Sequence, residues 1–134
     1  MDEQQHATAR MCLDAAERDD MAFPRIVETL VEAGFESYAI DFRRATATYY
    51  LPSGESVALA AHRIDASIAP AFDTPRMQAA IRDAQQQLPG YTYRSFCEKA
   101  VRAGCAGYIV SFSGRRALYF GRTAETHVEP FPDQ

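Results

Sequence analysis

The side chains best placed for chemistry lie near the C-terminal end of the chain: Arg122, Glu125, His127 and Glu129. In an extended segment, residues two apart share a face, so Glu125, His127 and Glu129 project together. A histidine between two carboxylates has its protonated form favoured, which suits a general acid/base pair or a polar contact site. The same pattern describes an edge strand whose charges discourage edge-to-edge association, and this plainer account is preferred. Arg43-Arg44 and Arg115-Arg116, at the tips of two hairpins, could hold an anion but read more simply as solvated turn residues. The histidines His6, His62 and His127 are far apart, and Cys12, Cys97 and Cys105 form no CxxC or Cys/His spacing that closes around zinc, so no metal is expected. The cysteines read as small buried hydrophobes in a reducing compartment. Cys105 follows a helix C-terminus, where the dipole raises a thiol pKa, which makes it a poor nucleophile. Dinucleotide, P-loop, zincin, nucleophile-elbow and EF-hand signatures are absent, so no catalytic residue and no cofactor are assigned.

The elements that must position these residues occur twice. Slid by seventy residues, Phe23 to Leu59 lies over Tyr93 to Glu129 without a gap, and nine of the thirty-seven pairs are identical. Unrelated segments of this composition would agree at about two or three positions, so an internal duplication is the economical explanation. Helices are expected from about Glu3 to Arg18 and from Pro24 to Gly34, followed by strands at 37–43, 46–51 and 55–61. Residues 62–72 read as an irregular link. Asp73-Thr74-Pro75 opens a helix stopped by Pro89-Gly90, Thr92 caps another that Gly104 closes, and strands follow at 107–112, 116–121 and 125–131. The expected fold is α+β: one domain of two helix-helix-strand-strand-strand repeats, about 3–61 and 73–131, with antiparallel sheet packed against helices. At the seventy-residue offset the first helices of the halves do not align in sequence, and whether the repeats share one sheet is left open.

Composition narrows the function. With 134 residues and 47% hydrophobic residues the chain can bury a core without staples. The formal net charge is −4 and the basic residues are scattered, which disfavours a nucleic-acid backbone as partner. The polar, acidic start and the lack of any long apolar run predict a cytoplasmic protein without membrane attachment.

One sheet face asks for company. In the first half it carries Ala39, Asp41, Thr48 and Tyr50, but in the second Ile109, Ser111, Leu118 and Phe120. Three large apolar side chains in one patch predict a cover. The other half of the chain or the sheet's own helices are the expected cover; a homodimer, another protein partner or an apolar ligand groove is the sharper reading. Tyr49 and Tyr119 take equivalent strand positions and are assigned to the core.

The segments FPRIVETLVEAGFESYAIDFRRATATYY and YIVSFSGRRALYFGRTAETHVEPFP resemble a family of small bacterial and prophage proteins of unknown function, labelled phage envelope protein-like and also known as YdfO-like. The likeness rests on Ala33-Gly34, the strand Tyr38 to Phe42 with Asp41, Tyr49-Tyr50, Gly54-Glu55 and the stretch Glu125 to Pro132. It implies a compact α+β domain and carries over no catalytic residues. The expected function is a non-enzymatic binding or protein-interaction module, a bacterial or prophage accessory protein acting through Ile109, Leu118 and Phe120 or through the late polar strand. The alternative is a small metal-independent enzyme or ligand sensor with His127 and Glu125 in a cleft between the halves.

Overall fold

The structure, a computed structural model, describes residues 1–132. Its elements run α1 (Glu3–Glu17), α2 (Phe23–Glu32), β1 (Ser37–Asp41), β2 (Thr46–Tyr50), β3 (Ser56–Ala60), α3 (Thr74–Gln86), α4 (Tyr93–Arg102), β4 (Cys105–Ser111), β5 (Arg116–Gly121) and β6 (Thr126–Pro130). The strands form a single antiparallel sheet in the order β3-β2-β1-β4-β5-β6, giving an α+β fold.

Local chemistry explains the boundaries. Asp2 and Gln5 make a capping box for α1, Thr92 and Ser95 make one for α4, and the Asp73 carboxylate accepts from the Arg76 amide to start α3. Gly34 and Gly104 both adopt the left-handed conformation, φ +98° and +94°, that ends α2 and α4. The Phe35 amide then donates to the Leu30 carbonyl at 3.0 Å, closing the helix end. Two hairpin turns are each held by one polar side chain that takes up turn amides. Asp41 Oδ1 accepts from the Arg43 and Arg44 amides, and Ser111 Oγ from the Gly114 amide.

The seventy-residue spacing reappears in the register. Tyr38 pairs with Tyr49 across β1 and β2, and Tyr108 with Tyr119 across β4 and β5. The halves meet where β1 and β4 pair, with Ala39 opposite Ile109 at the centre. In chain order α1 precedes α2 and α3 precedes α4. The buried stripes of α1 and α3, Ala9, Cys12, Leu13 and Met77, Ala80, Ile81, match at sixty-eight residues instead of seventy. The α3 stripe thus lies two residues farther ahead of α4 than the α1 stripe lies ahead of α2, so a gapless comparison at seventy residues does not align the two.

All four helices lie on one sheet face. Tyr38, Ile40, Phe42, Tyr108, Val110 and Phe112 join Cys12, Leu30, Met77 and Phe96 in one buried cluster. This corrects the expectation that Ile109, Leu118 and Phe120 are covered from within. Ile109 is 44% exposed and Val128 41%, while Leu118 and Phe120 are half-buried among their neighbours. The larger and more continuous apolar face takes the helices in both halves, and a two-layer architecture has none left for the other. Phe120 instead lies over Gly107, its partner across β4 and β5.

Candidate functional site

Between the helix layer and the sheet lies a cavity of about 540 Å³. Its floor is a row of tyrosines running across the four central strands, Tyr49, Tyr38, Tyr108 and Tyr119. Directly opposed residues on one sheet face are close neighbours. Accordingly, Tyr38 and Tyr49 stack at 5.5 Å between ring centroids and Tyr108 and Tyr119 lie 5.2 Å apart, while Tyr38 meets Tyr108 edge-on across the junction at 6.4 Å. Short side chains on α1, Cys12 and Ala16, and Ala84 on α3 keep the helices from filling the space above the rings. Tyr93 and Phe96 enter from α4 and Tyr91 from the loop before it. Six of the chain's seven tyrosines thus line one cavity.

The hydroxyls give this cavity its polarity. Those of Tyr93 and Tyr108 stand 2.6 Å apart, a hydrogen bond in which either is the donor. Burial pushes the phenols of Tyr38, Tyr49, Tyr93, Tyr108 and Tyr119 well above the ordinary tyrosine value, and that of Tyr91 up to about 12. They are neutral donors and acceptors at physiological pH. Burial likewise pushes Cys12 and Cys105 up to about 11 and Cys97 up to about 12. The thiols are held protonated, and for Cys105 the raised value, in the direction expected from the sequence, comes first from desolvation inside β4. Its Sγ donates to the Gly107 carbonyl.

The cavity opens between the α1–α2 loop, the α3–α4 loop and the segment after β6, with Phe23, Leu88 and Phe131 at the mouth. Phe23 and Phe131 meet edge-to-face at 5.5 Å. Glu129 lies at this rim on the helix-facing side of β6, its Oε1 3.2 Å from His127 Nε2. His127 pairs with Tyr119 across β5 and β6, and its side chain is 15% exposed.

The polar cluster expected from the sequence is therefore divided. His127 and Glu129 stay together, but Glu125 precedes β6 and accepts a hydrogen bond from Thr123 Oγ1, and Arg122 reaches the Ile68 carbonyl in the linker. A cleft between the halves holding His127 and Glu125 is not what forms. The cavity lies beneath both halves, and only Glu129 of that cluster lines it. On the opposite face Ile109, Leu118 and Val128 sit side by side across β4, β5 and β6.

Sequence reasoning missed two features. The first is the cavity: Tyr49 and Tyr119 are expected in the core, but a packed core offers few partners for so many tyrosine hydroxyls, which is the available signal. The second is the clamp on the linker at His62. The His62 amide donates to Glu17 Oε2 at 2.6 Å, and Arg94 Nη2 stands 3.1 Å from His62 Nδ1. Because a guanidinium only donates, Nδ1 accepts and Nε2 carries the proton, 3.5 Å from Glu17 Oε1. This joins the linker to α1 and α4 beside a hollow of only about 30 Å³, which has room for water and not for a substrate. No group of three or more His, Cys, Asp or Glu among the described residues is arranged to hold a metal ion. Nor is any helix among them long and apolar enough to cross a membrane.

No curated protein compared with the chain matches it. The family described as "Protein of unknown function (DUF1398)" matches residues 11–129, and the chain belongs to that family.

Proposed function

We propose that the protein is a ligand-binding module that takes a small, largely apolar organic molecule into the cavity beneath the tyrosine row. The observation that carries this reading is the cavity itself: about 540 Å³, within the range of small-molecule sites, and lined by apolar side chains with a few convergent hydroxyls. Binding is favoured over turnover because the Cys12 thiol and the phenols that line the cavity are held in their neutral forms, and the two lining carboxylates, Asp19 and Glu129, are engaged by the Tyr93 amide and by His127, not by a thiol or a phenol. We read the two halves as an internal duplication that pairs β1 with β4 to build a continuous floor. On its likeness to the phage envelope protein-like proteins, we regard the protein as a bacterial or prophage accessory protein acting in the cytoplasm.

The neutral fluorescent probe N-phenyl-1-naphthylamine tests the reading. Saturable enhancement with one site per chain is expected for the wild type. It should disappear in Ala84→Phe, which fills the cavity, and persist in Ile109→Lys on the opposite face, with thermal denaturation confirming that both variants fold. Enhancement lost in Ile109→Lys and retained in Ala84→Phe would refute the cavity as the site.

A second reading is favoured by a separate observation. Ile109, Leu118 and Val128 form an apolar row across three strands with Phe120 beside it, and Ile109 and Val128 are largely open. On this reading the outer face docks a second copy of the chain or another protein. Sedimentation across a concentration series tests the homodimer, and a monomer at every concentration would remove it.

A further inference from the structure

We infer that the cavity's ligand is an organic cation: an amine or quaternary ammonium group carried on an apolar body. This rests on the reading that the cavity binds a ligand at all, and adds to it the ligand's charge.

The argument comes from the charges that line the cavity and those that do not. Among the described residues Asp19 and Glu129 are its only charged lining residues, and both are acidic; no arginine, lysine or histidine among them lines it. They come from distant parts of the chain, the α1–α2 loop and β6. Each is held in place by its neighbours. Asp19 Oδ1 accepts from the Tyr93 amide at 2.8 Å, and Glu129 Oε1 faces His127 Nε2, leaving the other carboxylate oxygen of each side chain without a hydrogen bond among the described residues. Basic groups stand outside this lining: His127 beside Glu129, Arg115 over the Phe131 ring, and Arg10 near Tyr49.

The rest of the surface suits the same charge. An aromatic face attracts a cation through the ring quadrupole, and the attraction grows as water is excluded. Six tyrosines and Phe96 supply such surface, and their hydroxyl oxygens add dipoles without forming phenolates that would bind protons or metals instead. The mouth already shows the interaction, since the Arg115 guanidinium lies 5.7 Å from the centroid of Phe131, a lining ring. An anion in the same cavity would meet two carboxylates and no lining cation. A neutral molecule would gain apolar burial but no attraction from either carboxylate. The net charge of −4 adds a weak long-range attraction of the same sign.

The test uses three probes of similar shape: benzyltrimethylammonium, its neutral carbon isostere neopentylbenzene, and phenylmethanesulfonate. Each is titrated by displacement of N-phenyl-1-naphthylamine from the full chain. The cation should bind about tenfold tighter than the neutral isostere, and the sulfonate should not displace the reporter. Glu129→Gln and Asp19→Asn should each weaken the cation several-fold while leaving neopentylbenzene and the reporter unchanged, a pattern that misfolding would not produce. Equal binding of cation and isostere, or tighter binding of the sulfonate, overturns the cation assignment and leaves the cavity reading standing. Failure of the reporter and all three probes to bind the wild type would overturn the cavity reading, and this inference with it.

Discussion

The two halves of the molecule agree where they face the helices and differ where they face out. Within the strands and the turn residue that follows, the identical pairs are Tyr38 with Tyr108, Phe42 with Phe112, Ala47 with Ala117 and Tyr49 with Tyr119, and all eight residues are buried on the helix side. The outward positions change in kind: Ala39 against Ile109, Thr48 against Leu118, Tyr50 against Phe120. An unexposed sheet face is constrained by packing on every side, whereas an outer face is free to take a different character in each half. The cavity thus draws its tyrosine floor from what the halves share. Its charged rim, Asp19 and Glu129, comes from positions that do not correspond, so any selectivity belongs to the molecule as a whole and not to either half.

Alkaline titration puts the largest strain on this inner face. The ordinary thiol value is 9.0, but Cys12 and Cys105 are pushed up to about 11 and Cys97 to about 12 by burial, with Tyr91 also near 12 and the floor tyrosines raised further. Between pH 9 and 12 an unfolded chain loses protons that the native chain keeps, so the native state binds more protons and stability falls as pH rises. Each deeply buried group, such as Cys97 or Tyr108, contributes about 1.4 kcal/mol per pH unit, with the more open Cys12 and Tyr91 contributing less through solvent screening, and several together approach the whole stability of a domain this size. Circular dichroism should therefore show cooperative unfolding in this window, with the phenolate absorbance of the buried tyrosines appearing in the same transition. Phenolate absorbance that rises while the native spectrum persists would mean that the floor is hydrated, and the contrast between the faces would weaken.

A matched pair of glycines gives the next effect. Gly34 and Gly104 share the left-handed conformation, so replacement by alanine carries a similar backbone penalty of about 1 kcal/mol at both. Their surroundings differ. A Cβ at Gly34 would meet only the end of the Gln5 side chain, at 3.3 Å, but at Gly104 it would run into the Ala71 carbonyl and the backbone of Phe72. Gly104→Ala should cost about 2 kcal/mol more than Gly34→Ala, because the linker must move. Urea denaturation measures both, and equal losses would show that the linker yields freely.

Those glycines also show what is legible in a sequence. A left-handed helix stop, a period of two and a proline after a cap are local signals, and they locate the elements of the fold to within a few residues. The shared sheet is not legible in this way: strand order is not encoded in a period, and that Ala39 faces Ile109 across the junction emerges only in the structure. The correspondence of α1 with α3 is concealed because its buried stripe is offset by sixty-eight residues. The cavity is harder still to read. It depends on Cys12, Ala16 and Ala84 being short above tyrosines contributed by four strands, and no local pattern records that distance. The His127 and Glu129 pair is readable because alternation along a strand is local, but the divergence of Glu125 depends on where β6 begins.

The smallest effect on stability is expected at the centre of the outer face, where it bears most directly on what that face is for. Ile109 and Val110 are adjacent in β4, one 44% exposed and the other fully buried. Val110→Ala should cost about 2 kcal/mol through lost apolar burial and the cavity left behind. Ile109→Lys should change folding stability by no more than about 0.5 kcal/mol, since its side chain already meets water and a lysine stem can lie along Leu118. If the outer face docks a second copy, the same lysine will place like charges near a two-fold contact and abolish association while the monomer remains as stable as before. A loss comparable to that of Val110→Ala, measured at a concentration where the protein is monomeric, would instead mean that Ile109 is packed within the chain, and the division between a shared inner face and a free outer one would have to be abandoned.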